Sequence, residues 1–296
     1  MYLCTSKIKS KQSIHRQYAI MMLITTVKEL KDVIFRIKSN GKSIGLVPTM
    51  GALHKGHLSL LQKARSENEV VVCSIFVNPV QFNNKEDLEK YPRTLEQDQK
   101  LIENVADIVF APTAAEVYPT PPAEKYDFGS LETVMEGSFR PGHFNGVATI
   151  VKRLFDWVMP DKAYFGEKDF QQLAIIREMV RQYDIDLEIV SCPIVREENG
   201  LAVSSRNQLL SEEQRQTAAN IYRILKEAKM QPSRNAAEIK DFITKEVAKI
   251  KEFELEYIEI SDVKSLQPVS QIVSGQAVAC IALYIGGVRL IDNIIF

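Results

Sequence analysis

The chain has 296 residues, with 37 Lys and Arg against 38 Asp and Glu, 45% apolar and 25% charged, which is the balance of an ordinary soluble globular protein. That composition excludes a disordered, collagen-like or disulfide-stapled chain. A net charge of −1 leaves no footprint for bulk binding of DNA or RNA, and the longest uninterrupted apolar run, Ala277–Ile285, has nine residues where a bilayer span takes about 20. Neither nucleic acid nor a membrane is expected as a partner.

Taken in chain order, the first twenty residues stand apart: they hold Lys7, Lys9, Lys11 and Arg16, and the first carboxylate is Glu29. The stretch is too polar and interrupted for a secretory signal, so residues 1–21 are expected to be a poorly ordered extension or an upstream translation start. From there the pattern is regular. Val27, Leu30, Ile34 and Ile37 recur at helical spacing between an N-cap at Thr25 or Thr26 and a stop at Asn40-Gly41. A short apolar run at Ile44-Gly45-Leu46-Val47 precedes a loop and a helix over about 56–68, and 70–77 reads as a strand covered on both faces. The alternation continues with helices at 87–104, 147–159 and 170–183 and strands at 107–111, 163–165 and 188–194.

Strands alternating with helices predict a Rossmann-like doubly wound parallel sheet over 22–195. The pattern then changes. Two helices are expected at 211–229 and 235–251, the first opened by a capping box from Ser211 to Gln214, then strands at 255–260, 277–285 and 289–295 with Gly286-Gly287 as a turn. Residues 196–296 are thus expected to form a smaller α+β lid domain, with 196–206 as the hinge. The cysteines, Cys4, Cys73, Cys192 and Cys280, lie far apart with no CxxC pair, and the last three sit in apolar runs. Reduced thiols in a cytoplasmic protein are the simple expectation.

Parallel sheets of this kind bind ligands beyond the carboxyl ends of their strands, and four such loops hold chemistry. The first reads Pro48-Thr49-Met50-Gly51-Ala52-Leu53-His54-Lys55-Gly56-His57 and opens a helix, placing two of the chain's four histidines on one turn. Helix-start amides attract phosphate, and imidazoles can donate to a developing oxyanion. A random HxxH is more often an ordinary loop, but the flanking Gly51 and Gly56 and the position after a strand favour function; zinc lacks both the HExxH pattern and a third ligand. Asn78-Pro79-Val80-Gln81-Phe82 offers amides to a small polar substrate, although Asn-Pro is also a common turn. In Gly166-Glu167-Lys168-Asp169, Lys168 can meet phosphate, and Asp169 suits a helix N-cap or a ribose hydroxyl. Val203-Ser204-Ser205-Arg206-Asn207, at the hinge, looks like a phosphate clamp.

These segments together resemble one family. The HxGH loop resembles the HIGH element of the nucleotidyltransferase superfamily, shared with class I aminoacyl-tRNA synthetases, and Ser204-Ser205-Arg206 stands where those enzymes have a KMSKS-type loop. With Tyr91-Pro92-Arg93-Thr94, Arg140-Pro141-Gly142-His143-Phe144 and the run from Phe165 to Gln172, the chain is similar to the pantothenate synthetase (pantoate–β-alanine ligase) family from about Ile24 to Ile291-Asp292-Asn293. The resemblance implies a two-step ligation of pantoate and β-alanine through pantoyl adenylate, with ATP as co-substrate, Mg²⁺ entering on its phosphates rather than at a protein metal site, and a homodimer.

Residue by residue, it implies ATP contacts from Met50, Gly51, Ala52, Leu53, His54, Lys55, Gly56 and His57, and from Gly166, Glu167, Lys168 and Asp169. It adds the backbone near Val195, and Val203, Ser204, Ser205 and Arg206. His57, His54 and Lys168 are the implied catalytic groups, with His57 as proton donor. Gln81 and Gln172 are the implied pantoate ligands, Gln81 also lies near β-alanine, and Asn78, Tyr91 and Arg140 are further contacts. A nucleotidyltransferase that releases its nucleotide conjugate, and a non-catalytic nucleotide-binding regulator, are the competing readings. A tRNA synthetase is disfavoured by size and by the lack of a basic anticodon-binding region.

Overall fold

The computed structural model describes residues 21–296; the basic leader up to residue 20, with Cys4, lies outside the described residues. Nine strands occur among them: β1 (Met22–Ile24), β2 (Ile44–Thr49), β3 (Val70–Ile75), β4 (Ile108–Phe110), β5 (Lys162–Gly166), β6 (Glu188–Cys192), β7 (Phe253–Asp262), β8 (Ala277–Ile285) and β9 (Val288–Ile295). The helices are α1 (Val27–Ser39), α2 (Lys55–Glu67), α3 (Lys85–Lys90), α4 (Leu95–Ile102), α5 (Ala114–Val117), α6 (Met135–Phe139), α7 (His143–Val158), α8 (Phe170–Gln182), α9 (Glu212–Ala218), α10 (Asn220–Lys229) and α11 (Ala236–Ala248).

Strands β1 to β6 form one parallel sheet in the order β1-β4-β3-β2-β5-β6. Alternate residues go to opposite faces: Ile44, Leu46, Val70, Val72, Ile108 and Phe110 meet α1, α7 and α8, while Val47, Val71, Cys73 and Val109 meet α2 and α4. The chain runs from β2 through β3 to β4, then crosses back to lay β5 on the other side of β2. The switch in direction falls between β2 and β5, where a crevice opens past the carboxyl ends of both strands. This is the Rossmann-like doubly wound sheet that the alternating pattern predicts. Strands β7, β8 and β9 make a separate antiparallel sheet, covered on one face by α10 and α11 around a second hydrophobic core from Leu201 to Phe296.

The structure differs locally from the sequence expectations at four places. The expected helix over 87–104 is two helices, because Pro92 cannot donate and holds Tyr91 in an extended conformation at ψ 125°. The helix expected from 147 begins four residues earlier at His143, where Gly142 turns the chain in at φ 80°. The edge strand β1 was not expected, and its three residues are too few to show a period. The helix expected over 211–229 is broken only at Ala219, across which i→i−4 bonds continue from Ala219 to Arg215 and from Arg223 to Ala219, and the capping box at Ser211 is present. Cys73, Cys192 and Cys280 are buried free thiols.

Candidate active site

A cleft with about 1260 Å³ of empty space, its open mouth included, lies at the switch point. Its wall brings together parts of all four loops: Met50, His54, Gly56 and His57; Asn78 and Gln81 with Tyr91; Gly166, Lys168, Asp169 and Gln172; and Val195 with Val203, Ser204, Ser205 and Arg206. Gly51, Ala52, Leu53, Lys55 and Glu167 are not among its lining residues. Arg140 lines an adjoining chamber that shares Lys168, Asp169, Gln172, Ser204 and Arg206 with the cleft and runs beneath the small domain.

The loop after β2 is held in a tight left-handed path, with Gly51 at φ 82° and Ala52 at φ 48°. What fixes it is Asp98 of α4, buried at 2% exposure, whose carboxylate accepts the Ala52 N–H at 2.9 Å and the Leu53 N–H at 2.7 Å. Gly51 N–H goes to Thr49 Oγ1 at 3.2 Å, and Gly56 N–H to His54 Nδ1 at 3.1 Å. Of the N–H groups in this segment, those of Gly51, Ala52, Leu53 and Gly56 are committed internally, and His54 and His57 line the cleft. No sequence signal singled out Asp98, since an acid in the first turn of a helix is common.

His54 is the N-cap of α2, and its Nδ1 accepts a hydrogen bond, so the neutral ring has its proton on Nε2. The rings of His54 and His57 stack with centroids 4.0 Å apart. Burial, followed by the charge of Lys168, pushes His54 down to about 4. Burial, His54 and Lys168 hold His57 well below the usual histidine range. Both are therefore neutral donors at physiological pH, and His57 Nδ1 is buried without a hydrogen-bond partner.

Lys168 stands in a single turn between β5 and α8, its ammonium 3.9 Å from Asp169. Asp169 occupies the N-cap position of α8 but makes no side-chain capping bond, which leaves its carboxylate on the cleft. Of the adjacent pair, Gln171 is buried and consumed by the Glu136 N–H and the carbonyls of Leu131 and Val134, whereas Gln172 faces the cleft. Gln81 is oriented by Asn78, whose Nδ2 donates to its Oε1 at 3.0 Å; the Asn78 Oδ1 in turn accepts from Tyr118 at 2.8 Å. The Gln81 amide nitrogen lies 3.1 Å from Met50 Sδ.

The small domain reaches the site through Ser205, whose hydroxyl donates to the Ala52 carbonyl at 3.1 Å, and Arg206, which pairs with Asp87 at 3.0 Å. The expected hinge is itself pinned: Val203 N–H bonds the Val195 carbonyl at 3.0 Å, and Arg196 bridges to Ala202. Beneath it, Glu136 of α6 grips Arg289 of β9 with two bonds at 2.6 and 2.9 Å and accepts the Tyr257 hydroxyl at 2.9 Å. Burial disfavours the Glu136 charge, but Arg289 and Arg140 overcome it and bring the carboxyl down to about 2. Among the described residues no group of three or more His, Cys, Asp or Glu side chains is arranged to hold a metal ion, and no helix is long and apolar enough to cross a membrane.

The fold and cleft define a class: a doubly wound parallel α/β protein with an HxGH loop at its switch point and a small α+β domain set against the cleft. Residues 22–295 match the family model described as pantoate-beta-alanine ligase. A pantothenate synthetase of Bacteroides thetaiotaomicron is 53% identical over 93% of this chain and 98% of its own length, and that of Phocaeicola vulgatus is 54% identical over 93% and 99%. The crystal structure of pantothenate synthetase from Thermus thermophilus superposes with a TM-score of 0.86 at 44% identity, covering 93% of this chain and 99% of that one. The ligase from Francisella tularensis, complexed with beta-gamma ATP and beta-alanine, does so with a TM-score of 0.78 at 36% identity, covering 93% and 97%. The chain belongs to the pantoate–β-alanine ligase family, and is an enzyme of pantothenate biosynthesis.

Proposed function

We propose that the cleft binds ATP and pantoate side by side and that ligation to β-alanine runs through pantoyl adenylate. The observation behind this reading is the convergence of the four loops on one cleft, with cations at one part and amides at another. Lys168 and Arg206, with His54, His57, Ser204 and Ser205, face the phosphates; Met50, Gly56, Gly166 and the segments at Val195 and Val203 line the rest of the nucleotide. Gln81 and Gln172 hold pantoate, with Asn78 fixing which end of the Gln81 amide faces the ligand. The nucleotide complex of the Francisella relative supports an ATP site in this family.

In the first step a pantoate carboxylate oxygen attacks the α-phosphorus and the bond to pyrophosphate breaks. In the second, the β-alanine amine, having lost a proton, attacks the activated carbonyl carbon and AMP leaves. Negative charge grows on the phosphate oxygens in the first step, and neutral His57 and His54 with cationic Lys168 donate to it. Neutral imidazoles suit this task because each donates an N–H without the cost of burying a positive charge.

Asp169 is the one carboxylate among the residues lining the cleft, beside two cations and two hydroxyls. Such a set suits Mg²⁺ arriving on ATP phosphates with its own waters, where it would neutralise charge on the leaving pyrophosphate. The division into a nucleotide and pantoate domain over 22–195 and a lid over 196–296, a homodimer and a cytoplasmic location complete the reading.

Incubation with ATP, pantoate and β-alanine is expected to give β-alanine-dependent AMP and an amide. A stable nucleotide-linked product, or no such AMP, would overturn the adenylate reading. His57→Ala is expected to lower turnover by about two to four orders of magnitude, followed as pyrophosphate release.

A further inference from the structure

The run Leu290-Ile291-Asp292-Asn293-Ile294-Ile295 sets two polar residues inside an apolar strand, and both are buried, at 4% and 6% exposure. On β9 the two faces separate them. Leu290 and Ile294 pack into the small domain's own core, and Asp292 shares their face; Arg289 and Asn293 point to the first domain. Asp292 is held by Arg196 through two bonds of 2.7 and 2.9 Å, and its Oδ1 accepts the Asn293 backbone N–H at 2.8 Å. The Arg196 guanidinium lies 3.6 Å from the centroid of the Tyr222 ring and donates to the Gly200 carbonyl at 3.1 Å.

Asn293 then crosses to the other domain. Its side-chain nitrogen donates to the Glu167 carbonyl at 2.9 Å and to the Lys168 carbonyl at 3.1 Å. These carbonyls belong to the one-turn helix that presents the Lys168 ammonium. The other end of the relay, Arg196, braces the turn leading into Val203–Arg206 through Gly200 and the bridge to Ala202. A single buried relay thus holds the peptide behind Lys168 and the root of the segment bearing Arg206, on opposite sides of the domain junction.

We infer that Asn293 is a positioning residue that sets Lys168 against the nucleotide phosphates when the small domain is docked, a role that rests on the ATP reading proposed above. An amide supplies two hydrogens for two carbonyls, which a hydroxyl cannot, and an aspartate would turn acceptors against acceptors.

The test is a double-mutant cycle on the full chain. Asn293→Ala is expected to lower kcat/KM for ATP by about 10- to 100-fold while leaving the KM for β-alanine unchanged, and to cause no further loss when added to Lys168→Ala. As a comparison, Ile294→Ala trims the opposite face of the strand and is expected to lower thermal stability without moving the KM for ATP. If Asn293→Ala does not fold, Asn293→Ser, whose hydroxyl can still donate to one carbonyl, is put through the same cycle. Additive losses in the double variant, or equal losses in the ATP and β-alanine parameters, would overturn the positioning role. So would normal ATP kinetics in Asn293→Ala when Lys168→Ala is impaired, and in that case the ATP reading stands. Normal ATP kinetics in Lys168→Ala would overturn the ATP reading itself, and this role with it.

Discussion

Gly146, on the first turn of α7, lies so near the loop bearing Gln81 that a Cβ there would stand 2.6 Å from the Val80 carbonyl and 2.8 Å from the Gln81 backbone. Neither contact is with the flexible end of a side chain, so the loop itself has to move. Gly146→Ala is expected to cost about 1–3 kcal/mol of stability and to raise the KM for pantoate more than that for ATP, readable by thermal denaturation and steady-state kinetics. The same residue's carbonyl receives a bond of 3.0 Å from Asn78, so the displacement also reaches the group that orients Gln81. Nothing in the sequence marks this glycine, because its role is a contact across 68 residues of chain.

The elements at the domain junction depend on an ion cluster that outweighs its own burial. Glu136 sits on the short α6, entered through Met135 at φ 44°, and meets Arg289 from β9 and Arg140 from the same turn. Removing one partner of such a buried group leaves an uncompensated charge, so Arg289→Ala is expected to destabilise the chain by about 3–5 kcal/mol in chemical denaturation. Glu136→Gln in the Arg289→Ala background is expected to recover part of that loss. The helices α1, α8 and α10 were legible because a period of 3.6 repeats several times within them, and β3 and β8 because each is a near-continuous apolar run of strand length. The one-turn elements α5 and α6 were not, because they exist only through what they touch.

For the whole molecule, the near-zero net charge hides an uneven distribution. The cleft gathers Lys168 and Arg206, the latter also paired with Asp87, around the one lining carboxylate of Asp169, with two imidazoles that burial keeps neutral. His143 is pushed down to about 4 as well, by burial and then by Arg140. An unfolded chain would protonate these histidines near 6.5, whereas the folded one resists until about 4, so the unfolded state binds more protons over that interval. Stability is expected to be level above about pH 7 and to fall as pH drops from 6.5 towards 4, measured as the midpoint of thermal unfolding. Glu136, ionised in the folded chain throughout that window, does not offset the fall; its own contribution is lost progressively as pH drops from about 4.5 towards 2.

The sequence by itself determined the alternation of strands and helices, the two-part organisation and the motifs at the strand ends, because hydrophobic period and loop chemistry are local properties written in neighbouring residues. It also held the family, through motifs spread from Pro48 to Asn207. Only the tertiary structure decided which amides are free, and it spent those of Gly51, Ala52, Leu53 and Gly56 on Thr49, Asp98 and His54. Only the tertiary structure, too, brought Asn293 to the carbonyls of Glu167 and Lys168, separated by 126 and 125 positions. A hydrogen bond between distant segments depends on how two domains pack, and packing is a property of the whole chain.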